Sequence, residues 1–196
     1  MGIIKQSKSE MASLIVCVLK GKDGKDGVRL AIDYRCLNKY CLGDAFPTPN
    51  IDDLVQRIGQ ARIISLFDAK GGYWQIGVRP EHQWLTAFVW DGGLYEFTRA
   101  PFGQKVSGNT FTREVQQNLH PIRDCTGSYV DDMGIFSNDW PLHFQHLDRF
   151  LQTIKKSRLT LNLKKCHFAK LKSNLWDRSS GPASEDLILL RWPQLK

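Results

Sequence analysis

The stretch Gly127-Ser128-Tyr129-Val130-Asp131-Asp132-Met133-Gly134-Ile135-Phe136 decides the fold. Residues with strand character flank an Asp-Asp pair, so the stretch reads as a hairpin. Its strands, Gly127 to Val130 and Met133 to Phe136, are joined by Asp131-Asp132. Two carboxylates then share one tight turn. An arbitrary Asp-Asp is usually no more than a turn pair, so its meaning depends on the surrounding elements.

Upstream, Ile63-Ile64-Ser65-Leu66-Phe67 is a compact β run that ends at Asp68, and Gly71-Gly72 interrupts the pattern after it. Val106 to Leu119 carries Phe111, Val115 and Leu119 four apart, a helix stripe fit for a core, and Pro121 ends it. Downstream, Leu147, Phe150, Leu151 and Ile154 mark one helix face, and Leu159 to Leu163 reads as a last strand. Between the first strand and the first helix, two short β-like runs from Trp84 to Phe97 flank Asp91-Gly92-Gly93, whose residues accept positive φ. The order from Ile63 is therefore β-α-β-β-α-β with an inserted hairpin, the ferredoxin-like pattern of an α+β fold. In that pattern the first and third strands are neighbours at the sheet centre. Asp68 would then lie close to Asp131 and Asp132, three carboxylates that repel one another unless cations sit between them. Hard oxygen ligands without His or Cys favour Mg²⁺, with Mn²⁺ as an alternative. Two such ions about 3.5–4 Å apart suit in-line displacement at a phosphate.

The N-terminal third reads differently. Ser13 to Leu19 and Val28 to Tyr34 are apolar runs around Lys20-Gly21-Lys22-Asp23-Gly24-Lys25-Asp26-Gly27, a hairpin with a basic tip that is either a solvated turn or a finger for phosphates. After Pro47 and Pro49, Ile51, Leu54, Val55 and Ile58 recur at helical spacing, with Asp52 and Asp53 in the first turn.

Composition sets outer bounds. The 196 residues suffice for one core with a side lobe, and 42% hydrophobic with 24% charged content predicts a chain that folds over most of its length. A net charge of +7 favours an anionic partner such as nucleic acid. The five cysteines lack C-x-x-C spacing, which argues against a disulfide framework or a zinc site and for reduced thiols. The apolar run Leu14 to Leu19 is far short of the roughly 20 residues that span a bilayer. No membrane or export signal is visible, so the expectation is an intracellular protein of cytoplasm or nucleus.

Over residues 10–171 the chain resembles the reverse transcriptases of gypsy-type LTR retrotransposons. Tyr129-Val130-Asp131-Asp132 is similar to the family's Y-x-D-D box. Val28-Arg29-Leu30-Ala31-Ile32-Asp33-Tyr34-Arg35-Cys36-Leu37-Asn38-Lys39 resembles its R-x-x-x-D-Y-R-x-L-N-K signature, and Phe67 to Ile76 its aspartate box. Pro101-Phe102-Gly103, Gly108-Asn109-Thr110-Phe111 and Leu161-Asn162-Leu163-Lys164-Lys165-Cys166 follow in the expected order.

The resemblance implies an RNA-directed DNA polymerase working on an RNA or DNA template-primer and dNTPs with two Mg²⁺ ions. Asp68, Asp131 and Asp132 would be its catalytic and metal-binding residues, helped by the Ala69 carbonyl. Arg29 and Lys22 or Lys25 would grip the triphosphate, Tyr73 would gate against a ribose 2′-hydroxyl, and Phe102 and Gly103 would line the nucleotide pocket. Lys164 and Lys165 would lie near template or primer phosphates. Trp74, Trp84 and Trp90 could stack on bases, although core burial is the expectation for them. The implied layout is partial fingers over residues 1–60 and a palm over 61–171, its hairpin at about 84–103.

The chain departs from the family at Met11, Gly71, Ala100 and Gln104, none of them a catalytic carboxylate. After Lys172 the likeness stops, and residues 172–196 read as out-of-frame peptide, poorly ordered, from a frameshift near Lys172. A chain cut before its thumb is the expectation. Two other readings stay open: a catalytically inactive retrotransposon remnant that binds nucleic acid weakly, and a metal-free interaction module.

Overall fold

The computed structural model describes residues 2–19, 27–44, 46–47 and 50–171. The basic tip with Lys22 and Lys25, Pro49 and the expected out-of-frame tail lie outside the described residues. The chain divides into two units, residues 1–45 with 71–111, and residues 46–70 with 112–196.

The first unit is built from hairpins. A short strand β1 (Ile4–Gln6) precedes β2 (Ile15–Leu19) and β3 (Val28–Ile32), which pair antiparallel from Ile15–Ile32 to Leu19–Val28. This is the hairpin expected from the two apolar runs. Helix α1 (Arg35–Tyr40) follows; ahead of it Tyr34 is buried and its hydroxyl donates to the Thr86 carbonyl at 2.8 Å.

The second unit begins with α2 (Ile51–Gln60), capped by the Asn50 side chain, which accepts from the Asp52 N–H. Leu54 and Ile58 turn inward, whereas Val55 is exposed. Strand β4 (Ile63–Asp68) is buried along nearly its whole length, as the apolar run predicts, with Asp68 its last residue. The chain then returns to the first unit for β5 (Phe88–Trp90) and β6 (Gly93–Phe97), joined by Asp91-Gly92 at φ 46 and 71 and completing a β1-β6-β5 sheet. Trp84 does not open a strand. It lies in a 3-10 segment, Pro80–Thr86, because Pro80 and Glu81 start a turn that the β-like composition alone does not reveal. Helix α3 (Lys105–Leu119) crosses the division at residue 111, with Phe111, Val115 and Leu119 buried as its stripe demands.

The second unit closes with β7 (Thr126–Tyr129), β8 (Asp132–Ser137), α4 (Trp140–Ser157) and β9 (His167–Leu171). Its four strands run antiparallel in the order β7-β8-β4-β9, so the first and third strands of the expected pattern do sit side by side at the centre. One face of the sheet packs Ile64, Leu66 and Phe136 against Leu54 and Ile58 of α2. On the other side of β4, Phe67 stacks on Phe150 of α4 at 4.4 Å and meets Phe168 edge-on at 5.3 Å. Each such buried side chain contributes about 1.5–3 kcal/mol. The β7–β8 register sets Gly127 opposite Gly134, and a Cβ at either would run into Leu54 or Phe136.

Four local readings change. The hairpin turn is Val130-Asp131, not Asp131-Asp132, because Asp132 already pairs with Tyr129. The last strand is His167–Leu171. Leu159–Leu163 makes one bridge, Leu161 to Ala69, and a 3-10 turn over Leu163–Lys165, because Lys70 and Asn162 spend their backbone N–H groups on Thr160 and Asp68 carbonyls. Trp74, Trp84 and Trp90 are exposed rather than buried in a core. Leu151 is exposed too, and the inward face of α4 is His143, Phe150 and Ile154. No helix among the described residues is long and apolar enough to cross a membrane.

Candidate active site

The β7–β8 turn is where local preference and structure disagree. Val130 holds φ 54, a left-handed conformation that a β-branched residue avoids and that costs on the order of 1–3 kcal/mol. Its neighbour Asp131 is fastened from behind, its carbonyl accepting the Ala69 N–H at 3.2 Å. Asp132 opens β8 and stands opposite Asp68 in the β4–β8 register. Residues directly opposite in such a pair have Cβ atoms about 4.5–5.5 Å apart, so two like charges face each other. The Asp68 carbonyl in turn accepts the Asn162 N–H at 2.9 Å, which brings the segment after Leu161 across the end of β4.

The electrostatics follow from this crowding. Burial pushes the Asp131 carboxyl above its usual range, the negative charge of Asp68 pushes it further, and Lys165 partly offsets both. The Asp131 Oδ1 is buried without a hydrogen-bond partner. Lys165 approaches Asp68, Nζ to Oδ2, at 3.6 Å. Ala69, the next residue after β4, is buried. The Cys166 thiol also lies near Asp68, but burial holds it protonated and it donates to the Asn162 carbonyl at 3.2 Å. The atoms left to offer are carboxylate or carbonyl oxygens, and an orphaned buried oxygen among repelling acids is what a hard divalent cation satisfies. The residues therefore fit an oxygen-liganded ion such as Mg²⁺.

The three carboxylates do not offer oxygens within 4.8 Å of one another; among the described residues the group that does is Asp124, Cys125 and His146. That group is otherwise engaged. Arg149 holds Asp124 through two hydrogen bonds, 2.8 and 3.1 Å, and keeps its carboxyl below the usual range, while burial pushes the Cys125 thiol up. A cation there would have to displace a guanidinium and a thiol proton.

The expected nucleotide-facing residues belong to the first unit. Arg29 lies in β3, paired with Val18. Tyr73 is half-buried, its ring 5.0 Å from that of Phe102 and 5.9 Å from that of Phe111, and a Cβ at Gly108 would lie 3.4 Å from its hydroxyl. Phe102 is exposed and Gly103 turns at φ 88. Lys164 is exposed on the 3-10 turn of the second unit, beside Lys165.

Sequence reasoning missed two contributors. Asn38 donates to the Gly103 carbonyl at 2.9 Å and accepts the Lys105 N–H at 2.8 Å, tying the Phe102-Gly103 turn and the start of α3 together. The Asn in the L-N-K signature was its signal. His143 is fully buried between Ser65 and Ser137, and its spacing to Leu147, Phe150 and Ile154 puts it on the inward stripe of α4.

Residues 19–180 match the family described as reverse transcriptase (RNA-dependent DNA polymerase). The match ends inside the segment expected to be out of frame. The chain is 35% identical over 173 residues to the enzymatic polyprotein of cauliflower mosaic virus (strain NY8153), covering 88% of this chain and 25% of that protein. It is 34% identical to the retrovirus-related Pol polyprotein from transposon gypsy of Drosophila melanogaster, covering 86% of this chain and 17% of that one. Among solved structures it superposes with TM-score 0.77 and 25% identity on a foamy viral protease-reverse transcriptase in complex with double-stranded DNA, over 86% of this chain and 29% of that one. A second foamy viral structure, in complex with an RNA/DNA hybrid, gives 0.73 and 25%, over 85% and 22%. The chain spans a quarter or less of the length of these two polyproteins.

Proposed function

We propose template-directed DNA synthesis for this chain, which belongs to the reverse transcriptase (RNA-dependent DNA polymerase) family and is an RNA-directed DNA polymerase by that membership. The reaction is nucleotidyl transfer from a dNTP onto a primer 3′-hydroxyl, on an RNA or DNA template. The observation that carries this reading is the β4–β8 register, with Asp68 opposite Asp132 and Asp131 in the adjoining turn.

Asp68 and Asp131 would hold two divalent ions, Mg²⁺ or Mn²⁺, with Asp132 close by and the Ala69 carbonyl assisting. When bound, such ions favour the deprotonated 3′-hydroxyl and offset charge on the departing pyrophosphate. The remaining work belongs to the chain itself. Lys165 offsets the negative charge at Asp68 and would give that cation to a phosphate, with Lys164 beside it. Arg29, with Lys22 or Lys25, grips the triphosphate, Phe102 and Gly103 bound the nucleotide, and the Tyr73 ring excludes a 2′-hydroxyl. The nucleic acids in the foamy viral structures and the +7 net charge support a template-primer as partner.

Primer extension on an RNA template with Mg²⁺ and dNTPs tests the reading, run beside Asp131→Asn. Extension that the substitution abolishes is the expected result. No extension from a chain folded by circular dichroism would overturn it in favour of an inactive remnant. The out-of-frame reading of residues 172–196 is tested separately, by the nucleotide sequence around codon 172.

A further inference from the structure

Beneath the sheet of the second unit runs a buried polar chain that the reaction does not use directly. The Ala169 N–H donates to the Ser65 Oγ at 2.8 Å, Ser65 meets His143 Nε2 at 2.8 Å, His143 Nδ1 meets the Ser137 Oγ at 3.0 Å, and Ser137 meets His146 Nδ1 at 2.9 Å. Ser65 and His143 are fully buried and Ser137 nearly so.

Hydrogen counting assigns its direction. The Ser65 oxygen accepts the Ala169 N–H and has room for one more donor, but only donation to His143 Nε2 gives its own buried proton an acceptor among these groups. His143 is then neutral with its proton on Nδ1, donated to Ser137, whose own proton goes to His146. Burial holds His143 below its usual range, consistent with a neutral ring.

We propose that His143 is a positioning residue of the carboxylate site, locking β4, β8 and β9 in the one register that brings Asp68, Asp132 and Lys165 together. The proposal rests on the polymerase reading given above. Two observations and one general argument carry it. Ser65 and Ser137 lie on the two strands that end in Asp68 and begin with Asp132, and a one-residue slip would turn every side chain to the wrong face. Ser65 also sits where the β4–β9 register shifts, between Ile64 and Leu66, opposite Ala169 at φ 51. That irregularity fixes where β9 begins, two residues after Lys165. In general, hydrogen-bonded partners replaced by apolar groups of the same shape can leave stability nearly unchanged. What the hydrogen bonds add is direction, since each group accepts only one arrangement of its neighbours.

The test compares Ser65→Ala and Ser137→Ala with the hydroxyl-restoring Ser65→Thr and Ser137→Thr in the full chain. Two readouts need no turnover: the Mn²⁺ concentration at the midpoint of metal-induced thermal stabilisation, and the ¹⁵N spectrum of labelled histidine. The wild type should show one buried neutral ring protonated at Nδ1. Each Ala variant should fold by circular dichroism and raise the Mn²⁺ midpoint by about 10-fold. Extension kcat should fall to a similar extent while the KM for dNTP stays unchanged, and at least one Thr variant should return both. Ala variants that lower Tm but keep the wild-type Mn²⁺ midpoint would overturn the proposal, as would a His143 ring protonated at Nε2 or a wild type with no response to Mn²⁺. Wild-type metal stabilisation without primer extension would count against the polymerase reading alone.

Discussion

Two hairpins of this chain turn in two residues each, and they solve the same backbone problem with opposite economies. Between β5 and β6 the turn residues are Asp91-Gly92, at φ 46 and 71, residue types that tolerate the left-handed region. Between β7 and β8 they are Val130-Asp131, where Val130 is forced to φ 54 and Asp131 carries a buried oxygen without a partner. The first turn follows local preference; the second violates it twice within two residues. Strain and an unsatisfied carboxylate in one turn are departures from local preference of the kind the proposed site would require.

The largest expected contrast is functional. Asn at Asp131 should lower primer extension by on the order of 10²–10³-fold, while Asn at Asp91 should leave the rate at the wild-type value in the same assay. Next in size is the transplanted strain: Asp91→Val, a β-branched residue with no compensating role at φ 46, should destabilise by about 1–2 kcal/mol in urea unfolding.

A smaller effect of opposite sign is expected for Asp131→Asn in metal-free buffer, which should stabilise by about 1 kcal/mol. Because folding raises the Asp131 carboxyl above its ordinary value, the folded chain binds the proton more tightly than the unfolded one. Its contribution therefore favours the fold at low pH and is lost as pH rises through the folded-state value. The gap between Asp131→Asn and wild type should thus widen from about pH 3.8 upward and then level off. A gap that narrows over that range would show Asp131 to be favourably paired in the metal-free chain. The smallest effect belongs to Val130→Gly, which relieves the backbone but adds unfolded-state entropy, for a net gain below about 1 kcal/mol in the same unfolding assay.

These contrasts bear on what could be read in advance. The Asp91-Gly92 turn was legible because its residues state their own conformation. The Val130-Asp131 turn was misplaced by one residue because nothing local marks a valine for positive φ; pairing with Tyr129 and Asp68 claims Asp132 for the strand. The Leu159–Leu163 run has strand composition yet yields to β9, because strand formation needs a partner and the free edge of β4 is taken by His167–Leu171.

The sequence by itself determined the element order, the inward Leu54 and Ile58 of α2, the stripe of α3, the sheet's central pair and the placing of the three acids at its end, since periodicity and turn chemistry are properties of neighbours along the chain. The resemblance added roles for Arg29, Tyr73, Phe102 and the lysines. Only the tertiary structure decided that Trp74, Trp84 and Trp90 lie at the surface, that Lys165 comes to Asp68, and that His143 threads Ser65 to Ser137. Each of these depends on a contact between residues distant in sequence. Composition constrains such contacts weakly, and packing selects one.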